Sequence, residues 1–299
     1  MYDILIIGGG PAGISAAIYA KSRECNVLVL EQSQIGGQIS MVSHVTHYCG
    51  LMKDESGTTF SNRLKQQLND ANIEIQFERV IQVKLQGEIK EVQTISHTYQ
   101  AHNIILANGT VPRKLNIPGE KELYKKGIGL NALQDAQDYK HKHVYVIGGS
   151  DGAAKEALYL STIASKVSIL HFEKTLACID EFKKKISEAK NIEVCLETRL
   201  HAVYGKEQIE ALDILDLKDN SIKHIEESGC GIFVYAGSIP NTSLYTELKL
   251  ENGYIPVDKN QQAAIPGVYA AGDICVKQVR QVATAVADGA IAGIHAAIH

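Results

Sequence analysis

Glycines at positions 8, 10 and 13 give the spacing G-x-G-x-x-G, directly after a short β-branched run and at the mouth of an apolar stretch. Each serves a separate physical end. Gly8 permits a tight turn, Gly10 lets the backbone approach a pyrophosphate, and Gly13 lets a helix and a strand pack closely. The helix start then offers unpaired N–H groups to phosphate oxygens. Glu31 ends the next strand, 18 residues after Gly13, where a carboxylate accepts from a ribose hydroxyl. Strand, turn, helix and acid in register indicate a bound dinucleotide rather than a bare glycine turn.

The same grammar returns 140 residues later, from Gly8 to Gly148, in a weaker form. Gly148 to Ala153 read G-G-S-D-G-A, so Ser150 sets a hydroxymethyl group where backbone should touch pyrophosphate. His171 stands 18 residues after Ala153, the offset that Glu31 has in the first unit, and Phe172 and Glu173 follow it. A carboxylate there repels a 2′-phosphate, whereas Glu173 could still serve a 2′-hydroxyl, so NADPH is disfavoured more strongly than NADH. The six cysteines, at 25, 49, 178, 195, 230 and 275, include no C-x-x-C and no metal-ligand spacing. Free thiols in a reducing cytoplasm are expected, and no metal.

The elements that must position these residues follow from periodicity. Residues 3–8 read as a strand, Ile14 to Ala20 as a helix and Cys25 to Leu30 as a second strand. The second unit repeats this with Val144 to Ile147, Lys155 to Ile163 and Lys166 to Leu170. Between the units lie the apolar strand Asn103 to Leu106 and a proline-marked link from Pro112 to Pro118; a matching link falls near Pro240, after the strand Ile232 to Ala236. The expected fold class is α/β, with two Rossmann-like three-layer (ββα-type) dinucleotide-binding domains, the second inserted into the first. The expected boundaries are 1–111 with 243–299, and 112–242. The 299 residues, 45% apolar and 21% charged, suffice for two modest domains and exclude a disordered or disulfide-built chain. A net charge of −4 gives no overall attraction to nucleic acid or to an anionic membrane, so neither is an expected partner. Glycines interrupt the apolar run from Ile4 to Ala20 and no basic stretch precedes it, so neither a signal peptide nor a membrane span is expected.

The sequence resembles the low-molecular-weight thioredoxin reductases, which belong to the two-dinucleotide-domain flavoproteins. The residues that carry the resemblance are Gly8 to Gly13, Gly36-Gly37-Gln38, Ala107-Asn108-Gly109 where the family has Ala-Thr-Gly, the run Gly267 to Asp273, and Arg280-Gln281-Val282 before the small-residue helix Ala283 to Ala297. It covers essentially the whole length and implies FAD at the first fingerprint. By that likeness Gly8, Gly10, Pro11, Ala12, Gly13, Glu31 and Gln32 would hold the adenosine and pyrophosphate end. Asp273, with Gly272, would meet the ribityl chain. Gly37, Gln38, His47, Val80, Ala107, Gly109, Arg280, Gln281 and Val282 would complete the cofactor site, with Gln38 and Gln281 near the isoalloxazine. A homodimer is the family default.

Two departures from the family pattern bear on chemistry. The segment Gly127 to Gly149 aligns without a gap on the stretch that carries the family's redox-active C-x-x-C, with Asn131 and Gln134 at the two cysteine positions and Ala132 and Asp135 kept. An amide forms neither a thiolate nor a disulfide. The family's His-Arg-Arg for the NADP 2′-phosphate becomes His171-Phe172-Glu173. The expected function is therefore an FAD-dependent oxidoreductase fed by ferredoxin or flavodoxin and acting on a disulfide or another small redox acceptor. An NAD(P)H-dependent flavin reductase, a ferredoxin–NADP reductase-like enzyme and a non-catalytic FAD-binding module are the alternatives. Cys49 and Cys275, in segments that the likeness sets beside the flavin, are candidate catalytic thiols as a relocated pair; as small buried hydrophobes they would have no redox role. His44 and His47 are candidate proton donors or packing residues. Lys125-Lys126, His141-Lys142-His143 and Lys183-Lys184-Lys185 are candidate docking clusters for an acidic carrier, or solvated lysines.

Overall fold

A computed structural model of the protein describes residues 1–298. Contacts divide the chain into two units: 1–40, 44–111 and the stretch from Ile239 onward form the first, and 41–43 with 112–238 form the second. The return crossing, set after residue 242 from the sequence, falls at Ser238/Ile239, where the chain enters a short strand that ends at Pro240.

The first unit opens with β1 (Tyr2–Ile7), α1 (Pro11–Lys21) and β2 (Val27–Glu31). It continues through α2 (Gly57–Asp70), β3 (Glu74–Phe77), β4 (Val80–Lys84), β5 (Lys90–Thr94), β6 (Thr98–Leu106) and β7 (Thr110–Pro112). The second unit holds α3 (Ala132–Asp135), β8 (His143–Ile147), α4 (Asp151–Ser161), β9 (Lys166–His171), α5 (Asp180–Glu188) and β10 (Ile192–Leu196). The antiparallel strands β11 (Thr198–Gly205), β12 (Ile209–Asp216) and β13 (Ile222–Glu226) follow, then β14 (Gly231–Val234), and β15 (Ser238–Pro240) spans the return to the first unit. The chain completes the first unit with β16 (Val268–Ala270) and α6 (Val282–Ala296).

In the first unit the strand order is β3-β2-β1-β6-β5-β4, with β16 also on β6. Pairs among β3, β2, β1, β6 and β16 are parallel, and β4-β5-β6 is an antiparallel meander. β1 reads as a continuous apolar run because both its faces are covered. Ile4 and Ile6 pack with Ala16, Ala17 and Ala20 of α1 on one side, while Leu5 and Ile7 pack with Val83, Val92 and Tyr245 on the other. Successive side chains of a strand point to opposite faces, so one strand feeds two cores and the result is three layers.

The second unit repeats that logic. β10-β9-β8-β14 is parallel, and β11-β12-β13 forms a separate antiparallel sheet. Val144 and Val146 join the core under α4, whereas Tyr145 and Ile147 join one with Leu200, Val203 and Leu212 of the antiparallel strands. The fold is thus α/β, with two Rossmann-like three-layer units. Among the described residues no helix is long and apolar enough to cross a membrane, and no group of three or more His, Cys, Asp or Glu side chains is arranged to hold a metal.

Candidate functional site

Both glycine turns sit where parallel strands end and a helix begins, the position at which open α/β sheets gather ligands. In the first unit Gly8 leaves β1 at φ +112°, and a Cβ there would lie 2.5 Å from the Ala107 carbonyl oxygen. The Ala107–Gly109 turn after β6 therefore backs directly on the fingerprint. A Cβ on Gly13 would stand 1.9 Å from the Gly8 carbonyl oxygen, so only glycine lets α1 close on β1. Gly10 differs. It caps α1 at an ordinary φ of −78°, with Pro11 opening the helix, and the nearest atom to a Cβ there is the Gly36 carbonyl oxygen at 4.0 Å. That open space lies at the start of α1, whose first N–H groups have no partner within the helix and suit an anion.

Glu31, at the end of β2, is buried, and its carboxylate turns back on the fingerprint. Oε2 accepts from Gly9 N at 2.7 Å, and Oε1 accepts from Ser33 N at 2.8 Å and from Ser33 Oγ at 3.2 Å. Oε2, which accepts one bond, keeps a lone pair for a hydroxyl donor. Gln32 beside it is exposed. Gly37 approaches the same turn, its Cβ position 3.3 Å from Gly10 Cα, and Gln38 Nε2 donates to Thr110 Oγ1 at 2.9 Å.

From the other side, a Cβ on Gly272 would stand 2.9 Å from Ala12 Cβ, which brings the Gly272-Asp273 turn onto α1. Asp273 Oδ1 is buried and has no partner among the described residues. Burial raises this carboxyl above the ordinary carboxylate range, partly countered by Lys277 and Arg280. Arg280 stacks 4.1 Å over the Tyr254 ring; its Nε donates to the Asp273 carbonyl at 3.3 Å and its Nη2 to the Cys275 carbonyl at 3.2 Å. Gln281 caps α6 and Val282 begins it. The structure thus brings the Gly8–Gly13 turn, Gly37, Glu31, Ala107, Gly272 and Asp273 together. His47 is exposed at φ +58°, and Val80 pairs with Thr94 at the head of β4.

The sequence reading did not find the partners of Asn108. Its Nδ2 donates to the Asn241 carbonyl at 2.8 Å, and its Oδ1 accepts from the fully buried Tyr245 hydroxyl at 2.6 Å. An asparagine at this turn therefore clamps two passages of the chain that lie more than 130 residues apart in sequence.

The cysteines stand in unlike surroundings. All six are free; Cys49 is exposed and Cys275 is buried. Burial pushes the Cys275 thiol up to about 12, with Asp288 adding to the shift, and burial does the same to Cys230. In native protein at neutral pH, iodoacetamide is expected to label Cys49 and to spare Cys275 until unfolding; equal labelling, read by peptide mass spectrometry, contradicts this. The sign of the linkage follows. Between pH 9, where an exposed thiol ionises, and about 12, the folded chain holds protons that the unfolded chain releases, so stability falls as pH rises through that window.

In the second glycine turn His171 takes the place that Glu31 has beside Gly9 in the first. A Cβ on Gly149 would lie 2.6 Å from the His171 ring, which is buried against it. His171 Nε2 lies 3.2 Å from Glu173 Oε2, and its buried Nδ1 has no partner among the described residues. Ser150 caps α4 without a side-chain bond, and the Asp151 carboxylate accepts from Ile179 N at 2.8 Å. The nearby cation, Arg199 of β11, stacks 5.2 Å over the exposed Phe172 ring. Around Asn131 and Gln134 the chain builds a reciprocal helix cap. Asn131 Oδ1 accepts from Gln134 N at 3.1 Å, and Asp135 Oδ2 accepts from Asn131 N at 2.6 Å and from Lys125 Nζ at 3.3 Å. Several of the basic clusters are paired locally: Lys126 with Glu207 at 3.1 Å, Lys183 with Asp180 at 3.1 Å and Lys185 with Glu181 at 2.6 Å.

Two dinucleotide-type units, one nested in the other, define a class of two-domain redox enzyme. Comparison with known proteins gives its family. The pattern of the pyridine nucleotide-disulphide oxidoreductases matches residues 2–289. A thioredoxin reductase of Peptoclostridium acidaminophilum is 35% identical over 302 residues, covering 99% of this chain and 96% of that protein. The thioredoxin reductase structure from Lactococcus lactis superposes with a TM-score of 0.94 at 30% identity, covering 99% and 98% of the two chains. A ferredoxin-flavin thioredoxin reductase from Clostridium acetobutylicum superposes with a TM-score of 0.54 at 28% identity, over 99% and 97%. The chain belongs to the pyridine nucleotide-disulphide oxidoreductase family and is an enzyme, a flavin-dependent oxidoreductase of the thioredoxin reductase type.

Proposed function

We propose that this enzyme holds FAD at the first glycine turn, takes its electrons from a one-electron carrier of ferredoxin or flavodoxin type rather than from NADPH, and reduces a disulfide or another small redox acceptor without an internal cysteine pair. The observation that carries the reading is the contrast between the two turns. Gly10 opens on space and Asp273 offers a buried oxygen that has no partner among the described residues, whereas the position that matches Gly10 in the second turn carries the side chain of Ser150. The first set fits FAD: main-chain N–H groups at α1 suit the pyrophosphate, Glu31 a ribose, and Asp273 a ribityl hydroxyl. Bound there, FAD would supply both hydride and single-electron chemistry, which joins a one-electron donor to a two-electron acceptor.

The chain's own residues bind and orient. Glu31 and Asp273 accept from hydroxyls, the Gly10 turn meets negative charge with main-chain dipoles, and Arg280, fixed over Tyr254, adds a cation beside the Asp273 turn. Against NADPH stand Glu173 and the absence of arginine at 172 and 173. The Clostridium acetobutylicum relative, named for ferredoxin, supports a carrier as donor. The enzyme works as a homodimer in the cytoplasm on this reading. Its first test is cofactor content: protein purified without added flavin is expected to be yellow and to rebind FAD stoichiometrically after stripping, and colourless protein that ignores FAD overturns it.

A further inference from the structure

Behind the cradle, α6 carries an acid that sits in none of the glycine motifs. The helix is keyed to α1 by contacts that only small residues permit. A Cβ on Gly289 would stand 2.0 Å from the Ala12 carbonyl oxygen, and one on Gly293 would stand 2.3 Å from that of Ala16. Ser15 Oγ also donates to the Val286 carbonyl at 2.7 Å. The position of α6 along α1 is therefore fixed to within a side chain's give.

Asp288 precedes Gly289 and points at the loop that bears Asp273. Its Oδ2 accepts from Gly272 N at 3.0 Å and from the Lys277 ammonium, and its Oδ1 receives Gln261 Nε2 at 3.5 Å. The Asp288 and Lys277 side chains are each 14% exposed. Either charge alone at that depth is costly, so the pair stands or falls together. Gly272 turns at φ +83°, and the peptide that it begins carries the Asp273 backbone. Three bonds anchor the backbone from which Asp273 projects: Gly272 N donates to Asp288, Cys275 N donates to the Gly272 carbonyl at 3.1 Å, and Arg280 Nε donates to the Asp273 carbonyl.

We propose that Asp288, charge-balanced by Lys277, is a positioning residue of the cradle: by holding the Gly272 amide it fixes the direction in which Asp273 presents its carboxylate to the cofactor. The inference rests on the FAD reading above. Asp288 spends its own oxygens on donors of the protein, so its effect on FAD passes through Asp273 alone.

The test is a double-mutant cycle in FAD affinity, read by flavin fluorescence on stripped protein, with thermal melting of the same FAD-free samples. Wild type that fails to bind FAD sinks the underlying reading and is recognised before any variant is compared. Asp273→Asn is expected to weaken FAD about 10- to 100-fold and Asp288→Ala about tenfold. In the Asp273→Asn background, Asp288→Ala is expected to cost less than about twofold, because its route to the cofactor is already cut. A merely structural Asp288 would weaken FAD equally in both backgrounds, and that result overturns the proposal. Lys277→Met with Asp288→Ala removes both charges and guards against a lone buried ammonium. This double variant is expected to melt near wild type and to bind FAD as weakly as Asp288→Ala; wild-type affinity in it also overturns the proposal.

Discussion

Gly13→Ala is expected to abolish the folded first unit, whereas Gly10→Ala, three residues away, leaves the fold intact and removes the ligand. The two glycines look alike in sequence and differ in what surrounds them. A methyl group on Gly13 would meet the Gly8 carbonyl oxygen at 1.9 Å, a main-chain atom fixed by β1 and its pairing with β2 and β6, so α1 must leave the sheet. A loss of ~3 kcal/mol or more is expected, with a correspondingly lower melting temperature and no retained flavin. Gly10 has an ordinary φ and no atom nearer than 4.0 Å to its Cβ position, so FAD-free Gly10→Ala protein should melt within ~1 kcal/mol of wild type. Its methyl stands where phosphate would approach, and FAD affinity should fall by at least about tenfold. Gly13→Ala melting like wild type, or Gly10→Ala binding FAD like wild type, contradicts the account of the turn.

The second large effect concerns the second unit. Phe172→Arg with Glu173→Arg is expected to tighten NADPH binding about 10- to 100-fold while changing NADH by less than about threefold, since each charge-assisted contact to a phosphate is worth ~1.5–3 kcal/mol. Glu173 now places a carboxylate beside His171, and Phe172 occupies Arg199 as a stacking partner, so the double change removes one repulsion and frees a further cation. Titration of both nucleotides, followed by intrinsic tyrosine fluorescence or calorimetry, measures the ratio. Equal gains for the two nucleotides, or none, contradict the argument that charge at 172 and 173 excludes the 2′-phosphate.

The parts of this architecture that short-range geometry governs were legible in the sequence. A strand, a glycine turn and a helix within about 30 residues fix one another, so the fingerprint could be set between a strand and a helix, and Glu31 at the end of the next strand, before any coordinates. Helix α1 begins three residues earlier than periodicity suggests, at Pro11, because the first turn of a helix need not be apolar. Long-range pairings left no local trace. Asp288 with Gly272, and Asn108 with Tyr245, join residues that no spacing rule connects. His171 shares the offset of Glu31, and its ring lies against Gly149 as Glu31 lies against Gly9, so this contact follows the spacing. Cys275 lies two residues from Asp273, yet it falls in the core with Leu28, Leu30 and Tyr245. The lysine runs promised a basic face; their partners Asp180, Glu181 and Glu207 neutralise much of it.

The donor decides the central claim. Anaerobic stopped-flow mixing of the flavin-loaded enzyme with NADPH, NADH and reduced ferredoxin in parallel follows loss of the visible flavin band directly. The account predicts rapid bleaching by reduced ferredoxin and none by NADPH within the same time; rapid bleaching by NADPH contradicts it.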